Sequence, residues 1–399
     1  MKKKFLSTLL LCSLLCSCSR ELPTVKMRDY ITEIDLFKEQ DEVKIMQLTD
    51  LHYSFFTDFQ REQKYIKKLV EIGDPDIIMV TGDIILGADE NTYNQFFEIL
   101  EGLKNSKGRN VFYGITWGNH DRQGYFDMGF PDYIAKKHTS SDSYRLEHDY
   151  TYHGLYRHPE SSLPGRSNYV VNITDGDKVI WQLYSIDSNS DHFNGITYDY
   201  DVIHDEQIQW FKDVEKETRG GDTNIHSLAF FHIPLYETAF SYDAAKRKTN
   251  PLIKEGDFGG ELYESPSNIE GLKEYNLISD AVYVGYKKTD FFSVAKERGV
   301  KGMFYGHDHM NNFWALYDDK AYYDENTKTV INPNSTDDDV LLAYGTKSSI
   351  YLSDYLNQGT NTPLGANLIT IHKDGSFNGR ERSSNTDFKF IHLSYSEIE

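Results

Sequence analysis

Two kinds of apolar spacing alternate along this chain: short continuous or alternating runs, and stripes recurring every three or four residues. Val43–Thr49 is the first short run and reads as a strand. Residues 59–72 carry Tyr65, Ile66, Leu69 and Val70 at helical spacing, which predicts a helix with one buried face. Ile77–Val80 is continuously apolar, the pattern of a strand covered on both sides. Over 91–103, Phe96, Phe97, Leu100 and Leu103 fall on one helical face, and Asn110–Ile115 is the next strand.

Residues 122–165 break this rhythm. They are rich in Tyr, His, Ser and Asp and read as a long surface insertion of the kind that shapes a substrate site. Val170–Ile173 and Val179–Ile186 are strands joined by a turn at Asp175-Gly176. A helix over 205–218, with Ile208, Phe211 and Val214 inward, stops at Gly220-Gly221. Ser227–Ile233 reads as a strand, 241–288 as a second irregular insertion, about 290–298 as a helix and 301–305 as a strand. The tail is mostly β, with Asn367–Ile371 alternating before a hairpin signal at Asp374-Gly375. Alternating strands and helices imply an α/β core. The hairpin over 170–186 and the β-rich tail predict a second sheet packed on the first, giving two packed mixed sheets flanked by helices.

The N-terminus changes the picture of where the chain works. Lys2, Lys3 and Lys4 precede an apolar stretch from Phe5 to Leu15, too short to span a membrane and typical of a secretory signal. Leu15-Cys16-Ser17-Cys18 resembles a bacterial lipobox, so residues 1–17 are expected to be removed and Cys18 to carry a lipid. The expected location is the outer face of a bacterial membrane; ordinary cleavage to a secreted product is the alternative. Residues 18–42 read as a polar tether, and 43–399 as a single domain with the two insertions. All three cysteines, Cys12, Cys16 and Cys18, lie in the first 18 residues. The body therefore has no disulfide and no thiolate ligand.

The formal net charge is −20 over 399 residues. Nothing in that balance suits a nucleic-acid partner, which needs basic excess to neutralise phosphates. An acidic shell also repels anionic substrates, so a phosphate substrate requires local positive charge, which bound divalent cations supply.

Candidate ligands sit just beyond the C-terminal ends of five predicted strands: Asp50 and His52, Asp83, Asn119-His120-Asp121, His232, and His307 with His309. In open α/β sheets that strand edge is where ligands bind. An extended backbone through Asp50-x-His52 and His307-x-His309 would point each pair to one side. Glycines precede Asp83, Asn119 and His307, allowing tight turns and close approach. Mixed imidazole and carboxylate ligands suit Zn, Fe, Mn or Co rather than Mg or Ca. Seven ligands exceed what one ion needs and point to two ions sharing a carboxylate.

The ordered set Asp-x-His, Gly-Asp, Gly-Asn-His-Asp, a lone His in Phe231-His232-Ile233-Pro234, and Gly-His-x-His resembles the calcineurin-like metallophosphoesterase superfamily over roughly residues 43–350. Its branch related to purple acid phosphatases is the most similar. Leu86 stands where the purple enzymes have tyrosine, and His52 is present where they lack it, so no purple colour is expected. The resemblance implies a four-layer α/β/β/α sandwich. It implies one ion on Asp50, His52, Asp83 and His309, and a second on Asp83, Asn119, His232 and His307. The ions would be Fe, Zn or Mn, with a metal-bound hydroxide as nucleophile. His120 would assist the leaving group and Asp121 would orient its ring.

The expected activity is phosphomonoester hydrolysis, acting on a small phosphorylated substrate or a phosphoprotein. Alternatives are a phosphodiesterase or nucleotide hydrolase on the same site, a nuclease, or a non-catalytic surface-binding lipoprotein. Arg166 and Asn168 are lesser candidates for phosphate contact, and Asn311 and Asn312 for lining the pocket. His138, His148, His153 and His158 read as surface residues, with accessory metal binding the lesser alternative. His226 reads as core packing.

Overall fold

The computed structural model describes residues 23, 25–86, 89–122, 129–138, 153–159, 162–247, 282–309, 311, 313–317, 322–324, 329–331, 340–355, 364–377, 387–393 and 397. The chain begins with a hairpin of β1 (Val25–Arg28) and β2 (Ile31–Ile34). β3 (Glu42–Leu48), α1 (Phe59–Gly73), β4 (Ile77–Thr81), α2 (Glu90–Glu101) and β5 (Phe112–Thr116) then alternate. α3 (Gly129–Lys137) comes before a second hairpin, β6 (Tyr169–Asp175) and β7 (Lys178–Ser185), and the short β8 (Asp191–Phe193) and β9 (Tyr198–Tyr200). Next are α4 (Asp205–Arg219), β10 (His226–Phe230), α5 (Tyr236–Arg247), α6 (Phe291–Glu297) and β11 (Val300–Tyr305). β12 (Trp314–Tyr317), β13 (Tyr322–Asp324), β14 (Thr329–Ile331), β15 (Val340–Tyr344), α7 (Ile350–Tyr355), β16 (Gly365–His372) and β17 (Phe388–His392) complete the described elements.

Local chemistry accounts for the helices that flank the site. Asp58 caps α1 by accepting from the amides of Gln60 and Arg61, and Asp89 caps α2 through Asn91 and Thr92. Gly220 ends α4 in the left-handed conformation, where a side chain would be strained.

Two large sheets carry the fold. The five-stranded sheet has the order β17-β16-β3-β4-β5, with β3, β4 and β5 parallel. The eight-stranded sheet has the order β1-β2-β6-β7-β10-β11-β15-β12, with β7, β10, β11 and β15 parallel. Strand pleating divides the second sheet's side chains between two cores. Leu183, Phe230 and Phe304 join Ile45, Met79 and Ile115 of the first sheet and Tyr65, Leu69 and Phe97 of α1 and α2. Their neighbours Tyr184, Ala229 and Met303 pack with Ile208 and Phe211 of α4 and Phe291 of α6. A sheet buried on both faces, beside another with helices on its far side, is the four-layer arrangement expected.

Several expectations need correction. Residues 25–34 are not tether: β1 and β2 extend the eight-stranded sheet, β2 pairing parallel to β6 with Ile34 opposite Ile173. Val25, Ile31 and Ile34 are buried, and that apolar content is what recruits them. The β-rich tail does not all join the second sheet. β16 pairs antiparallel with β3 and carries β17 with it, whereas β15 and β12 lie in the larger sheet. The insertions contain helix: α3 lies within 122–165, and α5 enters 241–288. The rest of the second insertion up to residue 281, like residues 1–22, His148 and Asn312, lies outside the described residues. His153 and His158 are buried rather than on the surface.

Candidate metal centre

Each predicted ligand segment leaves a parallel strand at its C-terminal end. Leu48, Thr81 and Thr116 end β3, β4 and β5, and Phe230 and Tyr305 end β10 and β11. Asp50, Asp83, Asn119, His232 and His307 follow by two or three residues. The rim therefore draws on both sheets. Polar bonds hold the sheets in register beneath it: Gln47 Nε2 donates to the Tyr305 carbonyl at 3.0 Å, and the Thr116 and Ser185 hydroxyls lie 2.6 Å apart.

The backbone turns sharply at the rim. Asp50, His52, Asp83 and His307 all have positive φ, at 52°, 50°, 52° and 86°. Asp50 and His52 thus converge through left-handed turns, not through the pleat of an extended strand. Non-glycine residues in this conformation cost energy and cluster at functional sites. Close packing of the loops imposes it. A Cβ on Gly118 would sit 2.2 Å from Asp83 Oδ1, and one on Gly306 would sit 1.9 Å from Thr49 Oγ1. β10 also stops earlier than expected, at Phe230, and frees His232 from the sheet. Its Nδ1 bonds the Thr81 carbonyl at 2.7 Å, and the Ile233 amide donates to Ser188 Oγ at 2.9 Å.

Two ligand sets result. Asp50, His52, Asp83 and His309 bring one ligand atom each within 4.8 Å of one another, and so do Asp83, His232 and His307. Asp83 belongs to both. Its Oδ2 lies 3.4 Å from His52 Nε2 and 3.2 Å from His232 Nε2. Asp50 Oδ1 lies 3.6 Å from His309 Nε2. Asn119 Oδ1 is 3.1 Å from His232 Nε2, which adds the amide to the second set. The seven predicted ligand side chains share one site.

Second contacts aim the ligands. Asp50 accepts from Thr49 Oγ1 at 2.8 Å and from the His307 amide at 3.1 Å. Asp83 Oδ1 accepts the His120 amide at 2.8 Å, leaving Oδ2 for the centre. The Tyr200 ring packs edge-on against His307, 4.3 Å between centroids.

Buried polar atoms at the centre are left without hydrogen-bond partners: His52 Nε2, Asp83 Oδ2 and both ring nitrogens of His307. Buried polar atoms are normally satisfied, so this concentration fits cation ligands. The electrostatics agree. Burial opposes ionisation of Asp83, but His232 and His52 hold its carboxyl well below the usual range. Burial likewise disfavours charged His52 and His232. The facing carboxylates outweigh it and push them to about 9 and about 10. Burial takes His307 down to about 3 and His309 to about 4. These are states of the chain alone, and a divalent cation competes with the protons on His52 and His232.

A calcineurin-like phosphoesterase family model matches residues 43–311. The chain belongs to that family. Similar proteins include "Probable inactive purple acid phosphatase 28" of Arabidopsis thaliana. It is 24% identical over 314 residues, covering 69% of this chain and 68% of the relative. "Phosphatase DCR2" of Saccharomyces cerevisiae is 27% identical over 286 residues, covering 66% of this chain and 47% of the relative. A solved structure, "GAP50 the anchor in the inner membrane complex of Plasmodium", aligns over 90% of this chain and 87% of its own. It does so at 11% identity and a TM-score of 0.43.

Within this member of the family the two remaining motif residues have different fates. His120 stands at the rim with its side chain 33% exposed, 4.0 Å from Asp83 Oδ2 and 4.9 Å from the His52 ring. Burial holds it below the ordinary imidazole value. Asp121 does not orient that ring. It points inward, accepting from the amides of Gly118 at 2.8 Å, Ile84 at 2.9 Å and Ile85 at 3.2 Å, and from the Tyr93 hydroxyl at 3.4 Å. It fastens the Asn119 loop to the Asp83 loop. Asn168 is likewise structural, with its amide bonded to Pro164, Asp187 and Gln207.

One residue the sequence reading passed over is Asp187, fully buried two residues beyond β7. It accepts from Arg122 and from the amides of Arg166, Ser167 and Asn189. The strand-end rule that selected the ligands also marks this position, as the first acid in the polar run Asp187-Ser188-Asn189-Ser190 after an apolar strand.

Proposed function

We propose that this chain hydrolyses phosphate monoesters at a two-ion centre. Asp50, His52, Asp83 and His309 would hold one ion, and Asp83, Asn119, His232 and His307 the other. The observation that carries this reading is Asp83 Oδ2. It is buried, unpartnered and within 3.4 Å of imidazole nitrogens from both ligand sets, the placement a bridging carboxylate needs.

When bound, such ions lower the pKa of attacking water and offset charge on the phosphoryl oxygens. The chain's own residues do the rest. The left-handed turns and the Gly118 and Gly306 contacts hold the ligands in place before substrate arrives, so little reorganisation is needed during the reaction. His120, partly open at the rim, donates to the leaving-group oxygen. Fe, Zn and Mn all suit this donor set. The substrate is a small phosphorylated molecule or a phosphoprotein.

The test is a panel of aryl phosphate monoester and matching diester, run on metal-loaded protein with elemental analysis. Monoester turnover that disappears in Asp83→Asn, together with loss of about two ions per chain, is the expected result. A strong diester preference would replace the monoester reading. No turnover on either substrate despite two bound ions would favour a binding role; the names of three plant relatives begin "Probable inactive".

We further propose export and anchoring to the outer face of a bacterial membrane through a lipid on Cys18, supported by the basic and apolar pattern of residues 2–18.

A further inference from the structure

The β8–β9 hairpin leaves the rim between two parts of the metal centre. Ser190, just before β8, donates to the carbonyl of Asn119, the residue next to His120, at 3.3 Å. Tyr200, the last residue of β9, packs its ring against the ligand His307 with centroids 4.3 Å apart. The Asp201 amide donates to the Ser190 carbonyl at 3.0 Å and closes the base of the hairpin. The Tyr286 amide fixes its outer edge by donating to the Tyr200 carbonyl at 2.8 Å. At the tip, Asn194 Oδ1 accepts from the amides of Ile196 at 3.0 Å and Thr197 at 2.9 Å.

The register sorts the hairpin's side chains. Asp191 pairs with Tyr200, His192 with Asp199, and Phe193 with Tyr198. Paired residues, and residues two apart on one strand, share a face, so Phe193, Tyr198 and Tyr200 lie on one side. His192 lies on the other, stacked on Tyr286 with centroids 3.6 Å apart. The side that meets His307 is therefore aromatic. Tyr198 stands about 7 Å beyond Tyr200 along the strand. Phe193 meets Tyr198 at 4.9 Å between centroids. Both outer rings are open, Phe193 at 55% and Tyr198 at 72% exposure. Tyr283 continues the wall, 6.5 Å from the Tyr200 ring, with its amide fixed to Asp308 Oδ2 at 3.2 Å.

We propose, resting on the two-ion hydrolase reading above, that this face receives the organic part of the substrate and selects phosphate esters of a flat, uncharged aromatic group. Position argues for that occupant. The phosphoryl group is held at the ligand sets, and His120, the leaving-group donor, sits on the loop that Ser190 braces. An organic group reaching outward on the His307 side meets Tyr200 first, then Tyr198 and Phe193. Charge sets the second condition. Asp191 stands opposite Tyr200, and the chain's formal net charge is −20, so a further anionic group is disfavoured there. Stacking on fixed rings favours an aromatic group over a small alkyl one, because it buries more apolar area and costs little ordering of the hairpin.

The test compares two non-hydrolysable probes, naphthylmethylphosphonate and methylphosphonate, by calorimetry on metal-loaded, full-length protein. The naphthyl probe is expected to bind about tenfold tighter. Phe193→Ser/Tyr198→Ser should lose that advantage, and Phe193→Tyr/Tyr198→Phe should keep it. Equal affinities in the parent, binding of neither probe, or an advantage that survives the double serine change would each overturn the proposal. The comparison within the parent stands even where a variant fails to fold. Turnover of 2-naphthyl phosphate and ethyl phosphate is measured alongside. Failure of both esters with the binding advantage intact supports the aromatic face and sinks the hydrolase reading. Turnover of both with equal probe affinities does the reverse, and leaves the face to a protein partner.

Discussion

Arg122 and Asp187 join the two sheets beside the metal centre. Arg122 Nη2 lies 2.7 Å from Asp187 Oδ2, and its side chain also reaches Asn189 Oδ1 at 3.5 Å. Arg122 belongs to the loop beyond β5, in the five-stranded sheet, and Asp187 follows β7, in the eight-stranded one. The Ser190 hydroxyl, three residues on, donates to the Asn119 carbonyl at 3.3 Å. The loop that carries Asn119 and His120 is thus braced from the opposite sheet.

Removing one partner of such a pair leaves the other charge uncompensated. Asp187→Ala is expected to lower unfolding free energy by about 3–5 kcal/mol, read from urea denaturation. A loss below about 1 kcal/mol would mean that water replaces the carboxylate and the brace is dispensable.

His120→Ala separates chemistry from metal binding. No ligand set includes His120, so the ion count should match the parent. Turnover should fall by about 10²–10⁴-fold, the usual worth of a positioned proton donor. Loss of ions in this variant would show that the ring supports the centre rather than the leaving group.

Glu62 predicts how stability depends on pH. Its carboxyl is buried and is pushed up to about 7 by that burial, although the amides of Tyr351 and Ile350 favour the charged form. A raised acid binds its proton more tightly in the folded state. Its stabilising contribution is therefore complete below the ordinary value of 4.5 and is lost as pH rises toward about 7. Urea unfolding of Glu62→Gln between pH 4 and 8 should lack this downward slope, which the parent shows. Identical slopes in both proteins would place the titration elsewhere.

Cys18→Ser tests the anchor. The altered protein should move from the membrane fraction to the soluble fraction of the host. Retention on membranes would assign attachment to another part of the chain.

Much of the site was legible because strand ends are legible. Apolar runs such as Ile77–Val80 stop where polar residues and glycine begin, and in parallel sheets those ends share a rim. Residue type then picked out the side chains that converge around Asp83. Asp121 was misread for a related reason. The resemblance implied a partner for the His120 ring, whereas the side chain turns inward to the Gly118, Ile84 and Ile85 amides. Sequence spacing says nothing about which side of a tight turn a carboxylate takes.

By itself the sequence determined the alternation of strands and helices and the residue types at the rim. Those features depend on local propensity and periodicity. Tertiary structure alone decided that β1 and β2 complete the larger sheet, that ligands from two sheets meet at Asp83, and that Arg122 finds Asp187. The left-handed turns at Asp50, His52, Asp83 and His307 belong to that second class. Each is unfavourable in isolation and persists because segments far apart in the chain press against one another.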